Sequence, residues 1–384
     1  MPVITPSSPG ELAQVLAESA SQTRCVCLFG KNSKRLMGGP IDPAATKVST
    51  VALRRVLDYE PNDLTVSVEA GLPFAELQAR LAKNGQMIAL DPPFWNDSTV
   101  GGVVATNSSG PIRRGFGTAR DLIIGMSFAT LEGKLIKSGG MVVKNVAGLD
   151  MAKLLIGSFG TLAAIATVNF RVHALPEETR TFLFSLPDVD GAIEKRDAVL
   201  RSVLQPTAVD LLSPVAATRL GRRGYLLAIR AGGSKAVLDR YGRELDGAEV
   251  LTPDTEFWQQ IREFVPEFMK RNPSGAVLRL STTLAEVSKV LRIASGPAVS
   301  RAASGVTYIC LSSWQPVPAF WKAAQENGWG AAVEFASDEI RLSKELWLQP
   351  STVARENAFD MMKQVKHMFD PANLLNVSRL YGRI

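Results

Sequence analysis

The sequence predicts an α+β fold in more than one domain, and three observations carry that expectation. Strand-like segments come as hairpins mixed with helices rather than in strict alternation, which disfavours a doubly wound parallel sheet. Glycine-bearing segments follow strands near residues 30 and 101. Past Leu175-Pro176 the chain becomes less glycine-punctuated, which marks a second domain. At 384 residues there is room for two to three domains and a sizeable core. The expected divisions are 1–175, 176–340 and a tail 341–384 that returns to the first domain. There is no internal repeat.

The elements follow in order. Ser8-Pro9-Gly10-Glu11 reads as a capping box with proline at the first helical position, opening a helix with Leu12, Val15 and Leu16 on one face. CVCLF is a buried strand ending at Gly30. LTVSVEA, residues 64–70, alternates apolar and polar as a half-buried strand does. A helix over 73–83 closes on Asn84-Gly85. IIGMSFATLEGKLIKSGG is a hairpin turning at Glu132-Gly133. A short helix covers 150–156 and a strand covers 161–172. The second domain holds strands such as YLLAIRA and AVLRLST and a helix TEFWQQIREFV. The tail is one helix stopped by Asp370-Pro371.

Composition excludes several classes. The chain is 46% hydrophobic and 21% charged, and its net charge of +6 is spread without a basic block. The pairs Arg54-Arg55, Arg113-Arg114 and Arg222-Arg223 lack interleaved aromatics, so no nucleic-acid partner is expected. MPVITPSSPG has neither a basic nor an apolar stretch, so no signal peptide is expected. No run approaches the roughly 20 apolar residues of a membrane span. Three cysteines, Cys25, Cys27 and Cys310, argue for a reducing compartment and against a zinc or iron–sulfur site; the first two read as small core residues. Two histidines, His173 and His367, are too few for a metal cluster, and no G-x-S-x-G elbow is present. No metal is expected.

Neither usual nucleotide loop is present. Gly115-Phe116-Gly117 is followed by Arg120 where the dinucleotide fingerprint needs glycine, and Gly30-Lys31 has no upstream Walker glycine. Two other loops remain, each either a plain turn or a phosphate cradle. In LFGKNSKRLMGG, Gly30 permits close backbone approach, Asn32 tolerates positive φ, Ser33 is a donor, and Lys31 and Lys34 add charge. STVGGVVATNSSG, residues 98–110, contains no titrating side chain, but Gly101-Gly102 bares the backbone. Thr99, Thr106, Asn107 and Ser108 add neutral donors, Gly110 closes the stretch, and Pro92-Pro93 stiffens its entry.

DPPFWNDSTVGGVVATNSSGPIRRGFGTARDLIIGM, followed by GGMVVKNVAGLDMAKLLIGSFGTLAAIA, resembles the FAD-binding domain of the vanillyl-alcohol-oxidase, or p-cresol methylhydroxylase (PCMH), flavoproteins. The likeness is greatest to the flavin subunits of glycolate-oxidase-type complexes, through the K-N-V-A-G-x-D run Lys144–Asp150. It is dense from about Val48 to Pro176 and returns in FWQQIRE and FDPANLLNVSRLYG. The resemblance implies a PCMH-type domain of two α+β subdomains with FAD between them, and an α+β cap domain. It assigns Gly30 to Lys34 to a first pyrophosphate loop. Pro92, Thr99, Gly101, Gly102, Ala105, Thr106, Asn107 and Gly110 belong to a second. Gly117 and Arg120 fall along the flavin, and Gly160 with Ile165 near the adenine. Phe29 stands where the family usually has a basic residue, Asn32 where it has glycine, and L-N-V-S-R replaces L-N-P-G-R at the terminus. Some relatives attach flavin to a first-loop histidine; no histidine precedes residue 173, so FAD is expected to be non-covalent.

Related 2-hydroxyacid dehydrogenases carry an H-x-x-G-x-x-H cluster that is absent here. Oxidising a 2-hydroxyacid needs a base, a cation for the carboxylate and a hydride acceptor. Lys144 or Arg379 could bind a carboxylate and Asp150 could be the base, although a flavin contact or structural ion pair is the favoured reading of each. The expectation is therefore an FAD subunit working beside a catalytic flavoprotein subunit and an iron–sulfur subunit. It is placed in the cytoplasm, reaching a membrane face only through partners. A free-standing flavin oxidoreductase and a structural subunit with weakened FAD binding stay open.

Overall fold

The computed structural model describes residues 2–141, 150–348 and 353–384. The chain forms two compact units. One comprises residues 1–109, 117–175 and 352–384, and the other residues 110–116 and 176–351. The tail thus groups with the first segment, and a seven-residue piece, Gly110–Phe116, groups with the second unit, where Gly115 N donates to Thr207 O at 3.1 Å.

In the first unit the helix Pro9–Ser21 starts as its sequence dictates. The Ser8 hydroxyl accepts from Glu11 N at 3.1 Å, while the Glu11 carboxylate takes Ser7 N at 2.7 Å, one residue earlier than a standard box. Leu12 and Leu16 are fully buried against Val26, Val48 and Leu53; Val15 is half-buried. The strand Val26–Phe29 pairs in parallel with Thr46–Ser49. Its other edge takes the tail: Val26 N donates to Leu374 O at 2.8 Å and Asn376 N to Val26 O at 2.9 Å. Cys27 is buried and Cys25 only half so.

The same unit holds an antiparallel sheet of five strands in the order Val56–Glu60, Thr65–Glu69, Ala164–Arg171, Ile123–Ala129, Leu135–Gly139. The hairpin turns at Gly133, φ +76°, as the sequence predicts. Thr65–Glu69 corrects the half-buried expectation, for all five residues are buried. Ser67 and Glu69 tolerate this because each finds a partner. Ser67 Oγ donates to Asn169 Oδ1 at 2.7 Å, and the Glu69 carboxylate accepts from Arg55 N at 2.7 Å and from its guanidinium at 2.8 and 3.1 Å.

The second unit is built on eight antiparallel strands, in the order Glu249–Leu251, Glu178–Leu186, Tyr225–Gly233, Ala208–Leu212, Ala298–Arg301, Val306–Leu311, Ala276–Ser281, Gly330–Ala336. One face is apolar. Phe182, Leu211, Ile229, Leu278 and Ile309 pack there against Val199, Leu238, Val290 and Phe320 of the covering helices. The segment TEFWQQIREFV is two helices, Thr255–Arg262 and Phe264–Arg271, broken at Glu263. The unit is α+β, as expected.

Candidate functional site

In the first unit, the end of the Val26–Phe29 strand opens into a cleft enclosing about 730 Å³, part of it open to solvent. Its walls come from Leu28 to Lys34, from a short helix Val100–Ala105 with Thr106, from Phe159 and Gly160, from Ala163 and Ile165, and from Asn376 and Arg379 of the tail.

The first loop is shaped by local chemistry. Asn32 adopts φ +60°, the left-handed region asparagine tolerates, and lets the chain turn twice: Arg35 N donates to Asn32 O at 3.2 Å and Met37 N to Lys34 O at 3.0 Å. Gly30 is required by a neighbour, since a Cβ there would lie 2.1 Å from Thr99 Oγ1. Lys34 is buried, with Nζ 3.1 Å from Ser98 Oγ, and Lys31 Nζ donates to Asn96 O at 3.2 Å. The two predicted loops are therefore one construction, locked together by both lysines and by Gly30 against Thr99.

The second stretch is a helix rather than an open loop, which revises how its glycines work. Thr99 caps it, accepting from Gly102 N at 3.2 Å. Val100 N donates to Leu72 O and Gly101 N to Ala70 O, at 2.9 and 2.7 Å, so the first amides of the stretch are bonded within the protein. Gly101 faces the protein, where a Cβ would lie 2.8 Å from the Ala70 methyl; at Gly102 a Cβ would meet only Thr99 Oγ1, at 3.2 Å. Of the pair, Gly102 bares its backbone toward open cleft. The helix ends in a Schellman motif, with Asn107 at φ +45°, Asn107 N on Val104 O and Ser108 N on Val103 O, both at 3.0 Å. The Thr106 hydroxyl donates to Gly102 O at 2.7 Å and lies 2.7 Å from Ser108 Oγ.

Of the residues singled out from sequence, Gly30, Lys31, Asn32, Ser33, Lys34, Thr99, Gly101, Gly102, Ala105, Thr106, Gly160 and Ile165 line this one cleft. Others do not. Pro92 is buried behind it, and Asn107 closes the helix. Gly110 belongs to the second unit. Gly117, φ +82°, leads into the Thr118–Asp121 cap, where a Cβ would strike the Asp121 carboxylate at 2.5 Å. Arg120 and Lys153 clasp each other through their carbonyls, and burial holds the Lys153 ammonium below its ordinary range. Asp150 is an exposed residue just before the helix Met151–Leu155. Lys144 lies outside the described residues. Arg379 lines the cleft, but its guanidinium donates to backbone carbonyls of the first loop, Lys34 O and Gly39 O each at 2.7 Å and Met37 O. That geometry turns both terminal nitrogens onto the loop backbone.

Leu28, Thr50, Phe159, Ala163 and Asn376 also line the cleft and were not legible as site residues. Phe159 takes φ +57°, unusual for an aromatic residue, with its ring 5.7 Å from that of Tyr381. Asn376 imitates a strand: its side chain accepts from Leu28 N at 2.7 Å and donates to Leu28 O at 3.2 Å and Phe159 O at 2.6 Å. The L-N-V-S-R pattern was the one available signal for it.

A dinucleotide fits this donor set. The bare Gly102 backbone leaves contact distance on one wall, the segment 31–34 brings a hydroxyl and two lysines to the other, and apolar Ala163 and Ile165 also line the cleft. The cleft thus sets a bare-backbone wall against a wall bearing a hydroxyl and lysines, an arrangement complementary to a phosphate-bearing ligand.

Residues 2–139 match the family described as the FAD binding domain, and residues 350–379 the C-terminal domain of FAD linked oxidases. Glycolate oxidase subunit GlcE of Escherichia coli K12 is 29% identical over 253 residues, 66% of this chain and 67% of that protein. Glycolate oxidase subunit GlcD of Bacillus subtilis is 26% identical over 211 residues, 55% of this chain but 45% of its own length. The D-lactate dehydrogenase of Archaeoglobus fulgidus is 21% identical over the whole chain and 91% of that protein. Among solved structures, alkyldihydroxyacetonephosphate synthase superposes with a TM-score of 0.72 at 16% identity, covering 98% of this chain and 75% of that one. A 4-ethylphenol oxidase from Gulosibacter chungangensis gives 0.72 at 13%, covering 99% and 89%. The structural likenesses speak to the fold alone. The chain thus carries an FAD binding domain and a C-terminal segment of the kind found in FAD linked oxidases, is similar to PCMH-type FAD-dependent oxidoreductases, and has FAD as its cofactor.

Proposed function

We propose that the chain is the FAD-binding subunit of a glycolate-oxidase-type complex, passing electrons from 2-hydroxyacid oxidation toward an iron–sulfur subunit. One observation carries the reading: a single cleft gathers twelve of the predicted cofactor residues, in a chain whose similarity to GlcE extends over 253 residues. In this reading FAD is held without a covalent link and supplies the hydride-accepting ring. Asn32, Ser33 and Lys34 hold the anionic pyrophosphate, Gly102 lets it lie against backbone, and Ala163 and Ile165 receive the apolar end. Lys34, buried in the wall, places positive charge beside the phosphates where it acts more strongly than in bulk solvent, and exposed Lys31 adds a second, solvent-screened charge.

The three cysteines, Cys25, Cys27 and Cys310, are free thiols, one short of the four that ligate a cluster, and in this reading the iron–sulfur centre belongs to the iron–sulfur subunit. Among the described residues no group of three or more His, Cys, Asp or Glu could hold a metal. The proposal places the base and carboxylate-binding cation on a partner flavoprotein subunit, with Lys144 and Asp150 as this chain's own candidates. No helix among the described residues is long and apolar enough to cross a membrane, and the proposal brings the chain to a membrane face through its partners.

The test is a visible spectrum of the purified chain, followed by acid release of the chromophore. The expected result is a flavin spectrum, with FAD in the acid supernatant. The bound flavin should bleach on addition of glycolate or D-lactate only when the partner subunits are present. Bleaching by the isolated chain would refute the subunit role, and a colourless chain that FAD cannot reconstitute would refute the cofactor assignment.

A further inference from the structure

We infer that Arg379 is a positioning residue for the FAD cleft, acting through the first loop rather than on the cofactor. The inference rests on that cleft being the FAD site. The guanidinium forks onto three carbonyls of one short segment: one terminal nitrogen donates to Met37 O and Gly39 O, the other to Lys34 O. Two of these carbonyls, Lys34 O and Met37 O, belong to the turns that follow Asn32 and Ser33 along the cleft wall, and Gly39 O lies just beyond them. A planar guanidinium satisfies three divergent acceptors at once, whereas an ammonium offers only a point charge.

Loop and tail are also interlocked sterically. Gly39 N donates to Arg379 O at 2.9 Å; a Cβ on Gly39 would lie 1.8 Å from Ser378 O, and one on Gly38 2.6 Å from Arg379 O. Three residues before Arg379, Asn376 grips Leu28 and the Phe159 carbonyl, so the same tail segment braces three parts of the cleft wall. Deeper in the tail, Lys366 Nζ donates to Thr161 O, Leu375 O and Asp370, which anchors the segment in the protein. A glycine-poor first loop, with Asn32 where the family has glycine, thus obtains its shape partly from an arginine about 340 residues away in sequence.

The experiment compares full-length wild type, R379K, R379A and G39A as apo-proteins titrated with FAD by flavin fluorescence, at low and high salt. R379K and R379A should weaken FAD by similar factors, about tenfold or more, because lysine cannot replace the fork. The salt dependence of binding should stay that of wild type, since no phosphate contact is lost. Ethylguanidinium, and not ethylammonium, should restore part of the affinity of R379A. G39A keeps the guanidinium but displaces the tail, and should reproduce the weakening; with R379K it decides the matter if R379A does not fold. R379K binding within about threefold of wild type, a smaller salt slope in R379A, or a G39A that binds normally would each overturn the inference. Wild type that takes no FAD would overturn the cofactor assignment along with it.

Discussion

The two adjacent glycines of the short site helix should behave in opposite ways, and the reason is where their missing Cβ atoms point. At Gly101 an added Cβ falls 2.8 Å from the Ala70 methyl and 3.0 Å from its carbonyl oxygen, inside the protein. G101A therefore overpacks a buried wall at a cost of about 1–3 kcal/mol. At Gly102 the Cβ meets only Thr99 Oγ1 at 3.2 Å. Replacing a helical glycine by alanine there gains up to about 1 kcal/mol of helix propensity, less whatever the tight hydroxyl contact takes back. G102A should therefore unfold within a few degrees of wild type, while its methyl occupies cleft space against which the cofactor lies. Misfit of one methyl group is worth about 1–3 kcal/mol, or roughly 5- to 150-fold in affinity. Thermal unfolding of the apo-proteins by circular dichroism, with FAD titration by fluorescence, separates the two effects. G101A should lose melting temperature, and G102A should lose affinity at near-native stability. A G102A protein that binds FAD like wild type would refute the argument that this backbone faces the ligand.

Three further outcomes follow from the same geometry. Asp370 accepts from Lys366 at 2.5 Å and from Leu374 N and Leu375 N, so D370A strands a buried ammonium and should cost about 3–5 kcal/mol in urea unfolding; a loss below 1 kcal/mol would contradict the buried-pair account. Burial, and secondarily Arg171, holds His173 below its ordinary 6.5, so below that pH the unfolded chain binds a proton that the folded chain refuses. Stability is full above 6.5 and falls as pH drops toward the folded-state value, so H173Q should gain stability relative to wild type on moving from pH 7.5 to 5, and a pH-independent difference would refute it. Burial pushes Cys27 upward and Cys310 to about 12, so native protein at pH 8 should react with a thiol reagent at Cys25 alone, with labelling of Cys310 before unfolding as the contrary result.

Local signals carried most of the first unit. Ser8 before Pro9, Glu132-Gly133 in the hairpin and Asn84-Gly85 after a helix each act through neighbours a few residues away, and the structure keeps all three. The loop Gly30–Lys34 and the stretch Thr99–Thr106 were legible as candidate walls because small residues, an asparagine tolerant of left-handed backbone and clustered donors suit either a turn or a ligand cradle, and the structure brings them to one cleft. The alternation in Thr65–Glu69 misled, because period-two patterning reports polarity and cannot show that Arg55 and Asn169 arrive to satisfy the polar side. TEFWQQIREFV misled as well, since helical propensity on both sides of Glu263 conceals the break.

By itself the sequence determined the class of protein: an α+β chain with two glycine-marked walls, no histidine cluster, too few cysteines for an iron–sulfur centre, and a motif order shared with FAD-linked oxidases. Only tertiary structure decided what each residue of those walls does. Gly30 yields to Thr99 and Gly101 to Ala70, leaving Gly102 as the one of the pair that faces open cleft. Asn376 and Arg379, distant in sequence, complete a loop whose own residues do not reveal that they need them. The reason is physical: propensity and capping act over a turn or two of chain, whereas close packing and side-chain-to-backbone hydrogen bonds depend on which segments the fold brings within a few ångströms.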